Sequence, residues 1–187
     1  MRVISGILKG KKILQPLDIN TRPLRDLVKE TIFNIIDHSK DASVDLDNAK
    51  ILDLFSGTGS FGIECLSRGA RKAVFVENYD KSLKILDKNI KNFNLEDKTF
   101  VFKKSVFEID KFLKLNKKFD IIFIDPPFKN KQLKEILDKI KNLNLISENT
   151  RIIIHRDKKT KEKINQKFLI LREKILGLSK IYFGKII

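Results

Sequence analysis

The stretch Asp125-Pro126-Pro127-Phe128 closes an apolar run that begins at Phe119, and it presents hydrogen-bond acceptors almost without donors. Two successive prolines fix the backbone and remove two N–H groups, so backbone carbonyls and the Asp125 carboxylate form a purely accepting surface. An exocyclic amine on a nucleic-acid base supplies the two N–H donors that such a surface wants. Its nitrogen is a poor nucleophile while its lone pair is delocalised into the ring. If Asp125 and the Pro126 carbonyl each accept one N–H, the nitrogen is drawn toward tetrahedral geometry and can attack an electrophilic methyl in line. Attack makes the amine strongly acidic, so Asp125 or water takes its proton. Phe128 is expected to stack on the base, a contact worth roughly 1–3 kcal/mol on such platforms. Asp125, Pro126, Pro127 and Phe128 are therefore the candidate catalytic residues.

A second constellation, Asp53-Leu54-Phe55-Ser56-Gly57-Thr58-Gly59-Ser60-Phe61-Gly62, ends one apolar run and opens a helical one. Its glycines have the G-x-G-x-x-G spacing of loops that let backbone approach an adenosine-containing ligand. The discriminating residue is Asp53, a carboxylate where a pyrophosphate would want positive potential. Negative charge there suits a ligand with a cationic end, and S-adenosylmethionine, with its ammonium and sulfonium, fits. Glu77 lies about 20 residues past the loop, where a carboxylate accepts from both ribose hydroxyls. Ser105 and the Val106 N–H are expected at the adenine edge, with Ser105 also a helix-capping type. Asp53, Phe55, Gly57, Gly59, Glu77, Asn78, Ser105 and Val106 are the candidate cofactor contacts.

The elements that must position these two sites are legible as alternating patterns. Short apolar runs at 51–55, 73–76, 100–102, 121–124 and 152–154 suit parallel strands buried on both faces. Between them, Leu83, Leu86, Ile90 and Phe93, then Leu133, Ile136, Leu137 and Ile140, recur at helical spacing. The expected fold is α/β: a doubly wound, mostly parallel, seven-stranded Rossmann-like sheet. Strand-like runs at 168–176 and 181–187, joined across Gly177-Leu178-Ser179, predict a hairpin that makes the last strand antiparallel. Residues 1–40 read as an added β-hairpin, between Arg2 and Leu14, and a helix marked by Leu27, Val28, Thr31, Ile32, Ile35 and Ile36. Residues 41–187 form the core of what is expected to be a single domain spanning 1–187.

Composition narrows the partners. The chain has 39 Lys and Arg against 24 Asp and Glu, a formal charge of +15, which attracts polyanions. Lys9, Lys11, Arg22, Arg25 and Lys129 are the candidate RNA contacts, with Lys12, Lys103, Lys104, Lys131 and the run from Lys158 to Lys163 as further basic segments. A base in a loop or single strand, extruded past flanking phosphates, is the expected target. One cysteine, Cys65, and two histidines form no ligand cluster, so no metal and a reducing compartment are expected. No apolar run approaches the ~18 residues of a membrane helix, and a soluble, cytoplasmic monomer is the expectation.

These residues resemble the class I S-adenosylmethionine-dependent methyltransferases with the amino-methylating D/N-P-P-F/Y motif. More narrowly, nearly the whole chain resembles the RsmD family of 16S rRNA guanine-N2 methyltransferases. The likeness runs through Arg2 to Gly6, Lys9 to Lys11, Thr21-Arg22-Pro23, Asp26, Val28-Lys29-Glu30 and Phe33-Asn34. It continues through Leu52 to Gly59, Glu64, Leu66 to Ala70, Val76-Glu77, Asn89 and Asp125 to Phe128. The resemblance implies that Asp125 to Phe128 hold the guanine, that Asp53, Gly57, Gly59 and Glu77 hold the cofactor, and that the substrate is 16S rRNA within a small-subunit particle or assembly intermediate. It also implies the guanine(966) type of N2 modification. Departures fall at Leu24-Arg25, where relatives have two threonines, at Tyr79, where an acidic residue is common, and at His155, where many have Glu. His155 reads as a surface residue ending its strand, and His38 as a helix-end residue. Three other readings stay open: an adenine-N6 methyltransferase, a noncatalytic RNA-binding assembly factor and a nicotinamide-dependent oxidoreductase. A protein-glutamine methyltransferase is disfavoured, because that chemistry usually carries Asn at the Asp125 position.

Overall fold

Seven strands form one sheet in the order β3-β2-β1-β4-β5-β7-β6. In the computed structural model, which describes residues 1–16, 24–111, 118–127, 132–160, 164 and 167–187, the strands are β1 Lys50–Leu54, β2 Lys72–Val76, β3 Thr99–Phe102, β4 Ile121–Ile124, β5 Arg151–Asp157, β6 Phe168–Leu176 and β7 Ser179–Ile186. β1 to β5 are mutually parallel, and β7 is antiparallel to both β5 and β6. The order reverses at β1, between β2 and β4, and ligands of open α/β sheets bind at such a switch point. The Rossmann-like expectation and its antiparallel C-terminal hairpin therefore hold.

The helices are α1 Asp26–His38, α2 Ser60–Ser67, α3 Asp80–Asn92 and α4 Leu133–Asn142. Strand residues alternate between faces, and each face builds its own apolar cluster. Ile51, Ala73, Phe75, Ile121, Phe123, Ile153, Ile181 and Phe183 pack under α1, α2 and α3. Leu52, Leu54, Ile122, Ile124, Ile152 and Ile154 pack under α4. On the first face Phe61 lies between Phe33 and Phe123, with ring centroids at 5.3 and 4.1 Å. Such ring pairs add about 0.5–1.5 kcal/mol each beyond the area they bury.

The N-terminal hairpin is narrower than its sequence suggests, with one antiparallel bridge, Arg2 to Lys12. Val3, Gly10 and Ile13 N–H still donate across it, to the Lys11, Val3 and Met1 carbonyls at 2.9, 2.9 and 3.1 Å, and amides nearer its tip are committed elsewhere. The Ile4 and Ser5 N–H groups donate to the two Glu64 carboxylate oxygens at 2.8 and 2.9 Å, and the Ile7 N–H donates to the Ser67 carbonyl at 2.8 Å. The segment is thus docked on α2, and Val3, Leu8 and Ile13 join the first core cluster. β5 is longer than its apolar run: pairing with β7 carries it through His155 and Arg156 to Asp157, which sits opposite Ser179.

Candidate active site

The period-2 alternation that builds the first core cluster also builds a polar row at the carboxyl edge of the sheet. Two residues beyond Ile51 stands Asp53, beyond Phe75 Glu77, beyond Phe123 Asp125, and beyond Ile153 His155; Ser179 stands two residues before Ile181. All five line one cavity of about 400 Å³. Leu24, Val28, Phe61 and Phe123 supply apolar wall, while Phe55, Gly57, Asn78, Pro126 and Pro127 also border it. The glycine turn and the Asp-Pro-Pro patch therefore face a common space.

Asp53 is buried, and its Oδ2 accepts the Gly62 N–H at 3.0 Å, tying the strand tip to the start of α2. Burial first holds its carboxyl well above the usual carboxylate range; the Gly62 N–H pulls the other way, and neighbouring Asp125 and Glu77 push it further up. Gly62 has no room for a side chain, since a Cβ there would lie 2.4 Å from the Phe75 ring. Glu77 clasps the turn: Oε2 accepts the Gly57 N–H at 2.7 Å, and Oε1 accepts from Asn78 and Tyr79 N–H at 2.8 and 2.9 Å. The sequence suggested a ribose acceptor at Glu77, and it gave no sign that the same carboxylate shapes the loop.

Asp125 stands at the tip of β4 with its side chain 22% exposed, and its Oδ1 is 2.8 Å from His155 Nδ1. His155 Nε2 is in turn 2.9 Å from the Ser179 hydroxyl. The surface reading of His155 is overturned: the residue is only 6% exposed, because β5 runs on beyond it and β7 covers it. A signal for it was present. The parallel register pairs Ile124 with Ile154, so the next residue on each strand, Asp125 and His155, come abreast.

Several expected contacts lie elsewhere. Gly59 is absent from the cavity lining; its positive φ of 81° and a Cβ position 2.5 Å from Leu86 make it a turn and packing glycine. Ser105 and Val106 follow β3 and are also outside the lining. Ser105 Oγ accepts the Phe107 N–H at 3.3 Å in a capping contact, and Val106 is buried in the second cluster. Arg25 is exposed and borders the cavity, whereas Lys9 and Lys11 are exposed on the N-terminal segment. Arg22, Phe128 and Lys129 lie outside the described residues, as do Thr21, Pro23, Lys131, Lys161 and Lys163.

The cavity suits a polar, cationic ligand. Ser60 Oγ and Gln15 Oε1 are buried without a hydrogen-bond partner, and both residues line it; buried polar atoms left unmet are what a ligand's polar end satisfies. Among the described residues Asp53 and Glu77 form no ion pair, although Arg25 borders the same cavity.

Fold and pocket together define a class I, S-adenosylmethionine-dependent methyltransferase, with the ligand cavity at the carboxyl edge beside β1 and β4. Within that class, the chain belongs to the RsmD family, whose model, described as Conserved hypothetical protein 95, matches residues 1–185. It is 32% identical over 180 residues to Ribosomal RNA small subunit methyltransferase D of Buchnera aphidicola subsp. Acyrthosiphon pisum (strain APS), covering 96% of this chain and 90% of that one. The solved structure of yhhF from Escherichia coli superposes with a TM-score of 0.81 at 25% identity, covering 100% of this chain and 97% of the other. SMU.776, solved in complex with SAH, shares the fold with a TM-score of 0.61 at 21% identity, over 84% of this chain and 48% of its own.

Proposed function

We propose that this enzyme transfers a methyl group to the exocyclic N2 amine of a guanine in 16S rRNA, of the guanine(966) type, within a small-subunit particle or assembly intermediate. The observation that carries the reading is the shared cavity: the Asp125-Pro126-Pro127 acceptor patch and the Asp53, Gly57 and Glu77 side of the glycine turn border one space. The rRNA substrate is supported by the Buchnera relative, a ribosomal RNA small subunit methyltransferase D by name, which spans nearly the same length.

S-adenosylmethionine, when bound, supplies an electrophilic methyl on a sulfonium. Asp53 receives its ammonium, with Ser60 and Gln15 offering the unmet polar atoms beside it, and Glu77 meets the ribose hydroxyls. A carboxylate that stays mostly desolvated gains most from a cationic partner. On the other side of the cavity, Asp125 and the Pro126 carbonyl accept the two N–H groups of the guanine amine and aim its lone pair inward. Leu24, Val28 and Phe61 give the cavity an apolar wall. Asp125 takes the proton that the amine sheds as its C–N bond forms. Phosphates flanking the guanine pass Arg25 and the N-terminal lysines, Lys9 and Lys11.

Mass spectrometry of rRNA nucleosides from cells with and without the gene tests this directly. Loss of a single N2-methylguanosine is the expected result. Loss of an N6-methyladenosine would move the same chemistry to the other purine, and an unchanged profile would contradict the proposal.

A further inference from the structure

We infer that His155, held by Ser179, is a positioning residue that fixes the tautomer and carboxylate orientation with which Asp125 receives the target amine. This rests on Asp125 acting as the amine acceptor. An ionised carboxylate only accepts hydrogen bonds, so the 2.8 Å contact with Asp125 Oδ1 requires the hydrogen to be on His155 Nδ1. With the imidazole neutral, Nε2 carries a lone pair, and the Ser179 hydroxyl at 2.9 Å donates to it. The network is therefore directional: Ser179 O–H to Nε2, Nδ1–H to Oδ1.

Three strands supply its members, Asp125 abreast of His155 and Ser179 opposite Asp157, two residues farther along β5. Asp125 follows β4, His155 lies within β5, and Ser179 begins β7 on the side facing the same cavity. His155 and Ser179 are 6% and 4% exposed, so packing holds both. With Oδ1 engaged by the imidazole, Oδ2 is the oxygen assigned to an incoming N–H. A carboxylate otherwise rotates about its last side-chain torsion, which is broad, and a misplaced acceptor blunts in-line attack.

The connectivity Asp-His-Ser is that of a nucleophilic triad, but the burial is reversed. In a hydrolase the serine meets the substrate and the aspartate is enclosed. Here the aspartate is the more open end, half-buried where Ser179 is buried. The reactive end is the carboxylate, and the serine is the anchor.

Two measurements on the full-length protein test the inference. Long-range 1H–15N spectra of the imidazole should show a protonated Nδ1 and an unprotonated Nε2 for His155, a pattern lost in Asp125→Ala. Kinetics should show that His155→Leu lowers kcat on the order of 10²-fold, the scale set by about 1 Å of misplacement, while the Kd for S-adenosylmethionine and the Tm stay near wild type. His155→Asn, whose side-chain amide puts an N–H near the Nδ1 position, should recover most of that loss, and Ser179→Ala should cost several-fold. An Nε2–H tautomer, an unimpaired His155→Leu, or equal losses of kcat, cofactor affinity and Tm in His155→Leu and His155→Asn alike would overturn the inference. Asp125→Ala separates the two levels. If it is inactive while His155→Leu is not, only the role of His155 fails; if it retains full activity, the assignment of Asp125 fails as well.

Discussion

Two groups of carboxylates lie within or beside the first core layer, and they differ in whether the protein supplies their cations. At the back of α2, Glu64 is fully buried and fully answered: Lys29 Nζ lies at 3.3 Å, Arg68 Nε at 3.0 Å, and two N-terminal amides donate to it as well. At the carboxyl edge of the sheet, Asp53 is equally enclosed and Glu77 half-buried, and among the described residues neither has a paired cation. Both groups were drawn into the family likeness on equal terms. Their surroundings separate them: a buried charge that has its partner holds structure together, and one that lacks a partner inside a cavity is built to meet a ligand.

The largest expected effect breaks the edge group at its reacting end. Asp125→Ala should lower methyl transfer by about 10²–10³-fold or more, the scale of removing one preorganised polar contact from a reacting centre, with S-adenosylmethionine affinity retained in calorimetric titration.

The Glu64 group should respond to mutation in stability instead. Glu64→Gln leaves Lys29 buried without its counter-charge and should cost about 3–5 kcal/mol of unfolding free energy, measured by urea denaturation. Burial already pushes the Lys29 amine below its usual range, with Glu64 the main opposing influence, so the variant should expose the loss fully. Pairing Lys29→Met with Glu64→Leu should return part of it.

Asp53→Asn sharpens the contrast because its two effects have opposite sign. Without ligand the variant should be the more stable, with Tm up by a few degrees, at about 2–4 °C per kcal/mol for a chain of this size; its affinity for S-adenosylmethionine should fall. The pH dependence follows from the raised Asp53 carboxyl. Between the ordinary Asp value and the raised native one, the folded state binds more protons than the unfolded state, so stability falls as pH rises through that window. The ionised form is the one a cation wants, so cofactor affinity rises through the same window and binding releases a proton. Heats measured in buffers of different ionisation enthalpy check this.

A smaller effect belongs to the outer basic residues. RNA affinity should fall steeply with added salt, as counterion release requires, and Arg25→Ala should reduce the logarithmic slope by about 1 without changing the modified base. A flat salt response would remove the phosphate-tracking surface from the account.

Much of the sheet was legible because parallel strands buried on both faces spell out apolar runs, and β4 matches its run at 121–124 residue for residue. α4 likewise buries the four residues its spacing marks, Leu133, Ile136, Leu137 and Ile140. What escaped depends on contacts distant in sequence. β5 extends over polar His155-Arg156-Asp157 because β7 pairs with it, and no local pattern announces that partner. The N-terminal hairpin gives its Ile4 and Ser5 amides to Glu64, which lies 60 and 59 residues away. Gly59 matched a ligand-loop spacing and serves the packing of Leu86 and Phe75. Asp53 and Asp125 were found because motif and strand end coincide, whereas His155 needed the register between β4 and β5.

The most direct measurement is calorimetric titration of S-adenosylmethionine into Asp53→Asn and Asp125→Ala, each paired with single-turnover methyl transfer to RNA. The account predicts separation: Asp53→Asn binds the cofactor weakly, and Asp125→Ala binds it like wild type but transfers the methyl about 10²-fold or more slower. Equal loss of cofactor affinity in both variants, or wild-type affinity in Asp53→Asn, would contradict a cavity in which one carboxylate holds the donor and the other holds the amine.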